Sequence, residues 1–135
     1  MNQRTLAIIK PDAVKDGHVG EIISMIEDEG FEIHAMKTVE LTKDDAKEFY
    51  KVHKDKHFYE ANAEFMSSGP CIMMILDGWG VINRFRKLMG PTDHTTARSG
   101  TIRAAFGTSI RHNAVHGSDS VESARFEIAF FVHLY

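Results

Sequence analysis

The chain has 135 residues, a net charge of −3 and a single cysteine. That length suits one compact domain, residues 1–135, able to bury about two thirds of the surface its unfolded chain exposes without a disulfide or metal staple. The scattered Lys and Arg argue against a nucleic-acid surface. Met1-Asn2-Gln3-Arg4 lacks the apolar segment of a secretion signal, and no apolar run approaches a membrane span, so a cytoplasmic protein with no membrane partner is expected.

Thr5-Leu6-Ala7-Ile8-Ile9 is a short, mostly apolar run stopped by Pro11 and reads as a buried strand. Val19, Ile22, Ile23 and Ile26 recur at helical spacing up to Gly30. Phe31, Ile33, Ala35, Val39 and Leu41 keep odd-numbered alternation, which predicts a second strand. Thr42 is a natural N-cap for a helix carrying Ala46, Phe49 and Tyr50. Gly69-Pro70 opens a continuous apolar strand around Met73, in which Cys71 reads as packing rather than chemistry. Val81, Ile82, Phe85, Leu88 and Met89 form a helix stripe closed by Gly90-Pro91.

From Pro91 to about His112 the sequence is polar and poor in apolar period, and a loop of that length in a compact domain is usually functional. A short helix near Val121–Ser123 and an apolar strand over Ile128–Val132 are expected to end the chain. The core order βαββαβ predicts an α/β (α+β) fold: a ferredoxin-like sandwich with an antiparallel four-stranded sheet and helices on one face. A fold of that kind hosts many functions, a small-molecule-binding regulatory domain among them.

No Walker loop or G-x-G-x-x-G follows any strand, so the usual Gly-rich phosphate cradles are absent. Asn113-Ala114-Val115-His116-Gly117-Ser118-Asp119-Ser120 is the segment that stands out. Gly117 would leave one face of the His116 ring open and let the backbone approach a ligand. Alone, such a string also fits a turn with a satisfied histidine. Lys10 at the end of the first strand, Arg86 beside a helix stripe and Arg103 in the long loop each have a surface reading. Converging on one histidine, they would instead match a polyphosphate, since guanidinium forks hold phosphate oxygens bidentately. His53 with His57, and His112 with His116, stand four apart, a spacing that suits a metal on a helix. Lys54 and Lys56 disfavour the first pair, and the second has no helix stripe around it.

Ile9-Lys10-Pro11-Asp12, Gly100-Thr101-Ile102-Arg103 and the segment Asn113 to Asp119, in that order, resemble the nucleoside diphosphate kinase family. The similarity runs from Thr5 to Val132. The resemblance implies that His116 is a nucleophile that becomes phosphohistidine in a ping-pong transfer between nucleotides, and that Glu127 orients its ring. It implies that Lys10, Tyr50, Arg86, Thr92 and Arg103 face phosphates, that Asn113 meets the ribose 3′-hydroxyl, that Phe58 stacks on the base and that Ile110 covers its other side. Without the resemblance, Tyr50 and Phe58 read as core residues, Thr92 as a loop hydroxyl and Glu127 as an exposed acid. Nucleoside di- and triphosphates are the implied partners, and Mg2+ is expected to be held by their phosphates rather than by a protein cage. Ala13 stands where many relatives have glycine, which is expected to be harmless. A homo-oligomer is also implied. Its subunit count is left open by Ser99, where relatives often have proline, and by a chain that stops at Tyr135, short of the C-terminal segment of longer members.

Overall fold

The computed structural model describes residues 1–134. Tyr135 lies outside them. In chain order the elements are β1 (Asn2–Ile9), α1 (Pro11–Lys15), α2 (Val19–Asp28), β2 (Glu32–Val39), α3 (Lys43–Phe49), α4 (Tyr59–Met66), β3 (Cys71–Trp79), α5 (Val81–Met89), α6 (Ile102–Phe106), β4 (Val115–Gly117) and α7 (Val121–His133). Single 3-10 turns stand at Lys51–His53 and His94–Thr96. The strands form one sheet in the order β2-β3-β1-β4, with every neighbouring pair antiparallel. That is the ferredoxin-like arrangement.

The predicted boundaries have visible chemical causes. The Thr42 hydroxyl accepts the Asp45 N–H while the Asp45 carboxylate accepts the Thr42 N–H, a reciprocal cap that starts α3. Gly90, at φ 86°, turns the chain out of α5 in a conformation that side chains disfavour. The unbroken apolar runs of β1 and β3 bury both faces. Ala7, Ile9, Met74 and Leu76 pack with Ile22 and Ile26 of α2 and Phe85 of α5. Leu6, Ile8, Met73 and Ile75 pack with Phe49 of α3, Met66 of α4 and Phe131 of α7. Helices therefore cover both faces of the sheet, not one, as strands that are apolar all round require.

The odd-numbered alternation of the second strand hides a change of face. A bulge between Ile33 and Ala35 leaves His34 between the pairs Ile33↔Leu76 and Ala35↔Ile75. Ile33 thereby joins the α2/α5 side while Ala35 and Val39 join the other.

The strand expected over Ile128–Val132 is helix. Ser120 caps α7 by accepting the Ser123 N–H at 3.1 Å. Ala124, Ile128 and Phe131 then fall on one helical face, against the core or at its margin. Burial of that stripe against Leu6 and Ile8 outweighs the strand preference of Ile, Phe and Val. The fourth strand is instead Val115–Gly117, which pairs His116 with Ile8 near the C-terminal end of β1. This correction matters for the site, because it puts His116 on the sheet and Glu127 on a helix crossing it.

Candidate active site

Two adjoining hollows share Thr92 and Arg103 as a common wall. The inner one, about 250 Å3, is lined by Tyr50, Arg86, Thr92, Arg103, His116 and Glu127, together with His53 and Asp119. The outer one, about 700 Å3, is lined by Lys10, Phe58, Thr92, Arg103, Ile110 and Asn113, together with Asn62 and Arg111. All ten residues singled out from the sequence therefore line one cleft. Arg86 comes from α5, Arg103 from α6, His116 from β4, Glu127 from α7 and the rest from the segments between elements, which the antiparallel pairing of β1 with β4 helps bring together.

At the inner end, His116 Nε2 lies 2.7 Å from Glu127 Oε1. The same carboxylate oxygen accepts the Ser118 hydroxyl at 3.0 Å, and the Ser118 oxygen accepts the Leu6 N–H at 3.2 Å. This relay ties the carboxylate oxygen that meets the imidazole to the backbone of β1. An imidazole N–H facing a carboxylate leaves the lone pair on the other nitrogen, Nδ1. The rings of Phe49 and Tyr50 meet the His116 ring edge-on, with centroids at 5.5 and 5.9 Å. The Tyr50 hydroxyl is buried with no hydrogen-bond partner, and burial, then the Glu127 charge, pushes its pKa up. Gly117 has a different cause from the one its place beside a histidine suggests. A Cβ there would lie 2.7 Å from the Phe85 ring, so the glycine is required by packing on α5.

At the outer end, the Lys10 ammonium donates to Asn113 Oδ1 at 2.8 Å, and Asn113 Nδ2 donates to the Thr92 carbonyl at 3.3 Å. Burial, reinforced by the charge of Arg103, brings Lys10 down to about 8. Arg103 donates to three backbone carbonyls, those of Asn113, Gly90 and Val115, at 3.3, 3.0 and 2.8 Å. Burial, then the neighbouring charge of Arg86, brings Arg103 down to about 10. Arg86 itself is exposed and makes no hydrogen bond or ion pair among the described residues. Phe58, 36% exposed, is not a core residue but a flat face presented at the cleft, and Ile110 stands 66% exposed at its other lip. Three cations thus line the two joined hollows, and an uncommitted guanidinium, an imidazole nitrogen and a phenol meet in the inner one, an arrangement suited to a chain of phosphates.

A family model described as nucleoside diphosphate kinase matches residues 3–134. The chain belongs to the nucleoside diphosphate kinase family. It is 49% identical over 129 residues to the nucleoside diphosphate kinase of Persephonella marina, covering 96% of this chain and 92% of that one. To that of Helicobacter pylori it is 53% identical over 131 residues, covering 97% and 96%. A crystal structure of the Aquifex aeolicus nucleoside diphosphate kinase superposes with a TM-score of 0.95 at 46% identity, covering 97% of this chain and 95% of that one. That of Encephalitozoon cuniculi gives 0.93 at 35% identity, covering 96% and 88%.

Against that family, the departures noted in the sequence sit quietly. Ala13, where relatives often carry glycine, lies in α1 with its methyl group buried in the core. Ser99 is exposed beside Gly100. The histidine pairs do not converge. His112 meets Phe65 edge-on with ring centroids 4.4 Å apart and bonds Ser109, while His116 is held by Glu127. Several residues that line or brace the cleft carried no assigned role in the sequence, among them Ser118, Asp119, Asn62 and Arg111, and His53 was read only as half of a metal pair. Ser118 follows His116 by two places, just past the end of β4, and extended backbone there puts both side chains on one side. That spacing was the available signal. No described helix is long and apolar enough to cross a membrane.

Proposed function

We propose that this protein transfers the γ-phosphate of a nucleoside triphosphate to a nucleoside diphosphate by a ping-pong route through a phosphohistidine at His116. The observation that carries the reading is the 2.7 Å contact of His116 Nε2 with Glu127 at the floor of a cationic cleft. In the first half-reaction Nδ1 attacks the γ-phosphorus in line, the bond to the β,γ-bridging oxygen breaks, and the diphosphate leaves with that electron pair. In the second, a terminal oxygen of another nucleoside diphosphate attacks the phosphorus and Nδ1 recovers its lone pair. The Nε2 proton stays on the ring, and Glu127 stabilises the charge the phosphorylated ring carries.

In this reading Lys10, Arg86, Arg103 and Thr92 bind phosphate oxygens, the unpartnered Tyr50 hydroxyl supplies a donor at the inner end, and Asn113 holds the ribose 3′-hydroxyl. Phe58 carries the base and Ile110 closes over it. The family uses a divalent cation, here Mg2+, which supplies charge neutralisation on the phosphates. Glu127 is committed to His116 and Ser118, and Asp119, with its pKa lowered chiefly by hydrogen bonding to Ser123 and also to Ser120, is engaged at the α7 cap. That donor set suits a cation arriving on the nucleotide rather than one caged by carboxylates. A cytoplasmic setting and homo-oligomeric assembly belong to the same reading and rest on the family.

Incubation with γ-labelled ATP tests the assignment. Wild-type protein is expected to form an acid-labile, base-stable phosphoprotein that discharges to added nucleoside diphosphate, and His116→Ala to form none. A label retained in His116→Ala, or one stable to acid, would overturn it.

A further inference from the structure

We infer that Asp12 is a positioning residue for the nucleotide's sugar, acting through the strained turn at Ala114 to set Asn113 in register. This deepens the reading of Asn113 as the ribose contact and rests on it. Ala114 has φ 76°, the only non-glycine with a left-handed backbone among the described residues, and its methyl is fully buried. The Val115 N–H bonds the Asn113 carbonyl at 2.9 Å across it. An i to i+2 bond around a residue of positive φ is the rare, strained form of γ-turn, and such a conformation persists only where the surroundings over-determine it.

Two groups of the β1–α1 junction supply that constraint. The Ala114 carbonyl accepts the Lys10 N–H at 2.8 Å, and the Ala114 N–H donates to Asp12 Oδ2 at 3.1 Å. Both backbone polar groups of the strained residue are thereby tied to the segment Lys10–Asp12. Asn113, directly before the turn, is set by the same clamp, and its side chain meets Lys10 and Thr92. His116 is held by other means, its strand pairing with Ile8 and its contact with Glu127. The division is physical: the Asp12 clamp governs the sugar end of the cleft, the Glu127 relay the nucleophile. The second carboxylate oxygen of Asp12 is buried without a partner, so an acceptor at one oxygen is the feature in use.

The test separates sugar recognition from nucleophile chemistry. Phosphoramidate, a small phosphoryl donor with no nucleoside, is used to phosphorylate His116, with intact mass as the readout. Nucleotide turnover is then compared for substrates with a 3′-hydroxyl and 3′-deoxy analogues. Asp12→Ala is expected to accept phosphate from phosphoramidate at the wild-type rate. Its nucleotide KM should rise roughly ten-fold or more, as misplacement of a binding group by a fraction of an ångström produces, and its preference for the 3′-hydroxyl should collapse. Asp12→Asn keeps an acceptor oxygen without the charge and is expected to restore both. Asp12→Glu keeps the charge but moves the acceptor by a methylene, and should lose the sugar preference even if Asp12→Ala does not fold. Wild-type 3′-hydroxyl preference in Asp12→Ala or Asp12→Glu overturns the inference and leaves Asp12 a stability residue. Wild-type protein that takes no phosphate from phosphoramidate would remove the His116 reading itself.

Discussion

Lys10 Nζ donates to Asn113 Oδ1 at 2.8 Å, joining the end of β1 to the turn before β4 across 103 positions of sequence. The bond couples the cation proposed for the phosphates to the amide proposed for the sugar, so the two groups are held in register by a single contact. It also keeps an amine in a buried place where its charged form is disfavoured.

The pH dependence of turnover follows. With Lys10 brought down to about 8 by burial and by Arg103, the free protein loses this charge as pH rises through that value. kcat/KM for nucleotides, which reports the free enzyme, is expected to fall above about pH 8, whereas bound phosphates supply the missing counter-charge and kcat should hold to higher pH. For stability the sign is opposite. The folded-state value lies below the ordinary 10.5 of the unfolded chain, so the folded protein holds fewer protons between those values and stability rises with pH through that window. Lys10→Met should be inactive, and because it also strands the buried Asn113 Oδ1 the diagnostic is the pH trend: wild type should gain stability relative to Lys10→Met between pH 7 and 9, by roughly 1 kcal/mol. Thermal unfolding of both proteins at pH 7 and 9 measures it, and an unchanged or reversed difference would contradict the assigned burial cost.

The relay behind His116 makes an ordered series. His116→Ala should fold and lose phosphotransfer by several orders of magnitude, because no neighbouring group can form the covalent intermediate. Glu127→Ala should lower kcat by roughly 10- to 100-fold, the usual cost of losing a group that orients and charges another. Ser118→Ala, one step further out, should cost less than Glu127→Ala and should lower the unfolding temperature through the stranded Leu6 N–H. Single-turnover labelling of the three variants gives the order. Ser118→Ala slower than Glu127→Ala would break it.

Much of this was legible in the residues. Continuous apolar runs marked β1 and β3, the Thr42 cap and the Gly90 stop bounded their helices, and the string around His116 with three cations singled out residues that line one cleft. What stayed hidden was set by distant contacts. The Ile128–Val132 segment has strand-forming residues, and only packing on Leu6 and Ile8 makes it helix. Helix α4 went unread because Tyr59, Ala63 and Met66 form a thin stripe among polar residues. The turn at Ala114 carries no glycine to betray its positive φ, so the Asp12 contact could not be anticipated.

Arg86 and Arg103 should differ on replacement despite facing the same hollow. Arg103 spends three N–H groups on backbone carbonyls, while Arg86 spends none within the described residues. Arg86→Ala is expected to lower phosphotransfer on the order of 10²-fold, as for other electrostatic groups acting on a transition state, with an unchanged unfolding temperature. Arg103→Ala should match that loss and also be destabilised by roughly 1–3 kcal/mol, because it strands buried carbonyls. If both variants kept wild-type kcat/KM, the polyphosphate assignment of the cleft would fail.

Base specificity is set by what the outer hollow offers. Phe58 presents a ring face and Ile110 an aliphatic side chain, and neither can read a hydrogen-bonding edge. Stacking on an aromatic contributes roughly 1–3 kcal/mol with little regard to which base is stacked. Asn113 and Lys10 are proposed to act on sugar and phosphates, where nucleotides of different bases are alike. The one amide beside Phe58 is Asn62, four residues along the same helical face and also lining the hollow. A single neutral hydrogen bond there contributes about 1 kcal/mol, a spread of roughly ten-fold or less between bases. The expected result is broad use of purine and pyrimidine nucleotides, ribo or deoxy, with a modest spread that Asn62→Leu levels, and poor use of 3′-deoxy analogues. kcat/KM across ATP, GTP, CTP, UTP, dTTP and a 3′-deoxy analogue provides the measurement. A preference above about 10³ for one base corresponds to roughly 4 kcal/mol, more than one amide can supply, and would mean that the other polar groups of the outer hollow, His57, Ser109 and Arg111, read the base edge.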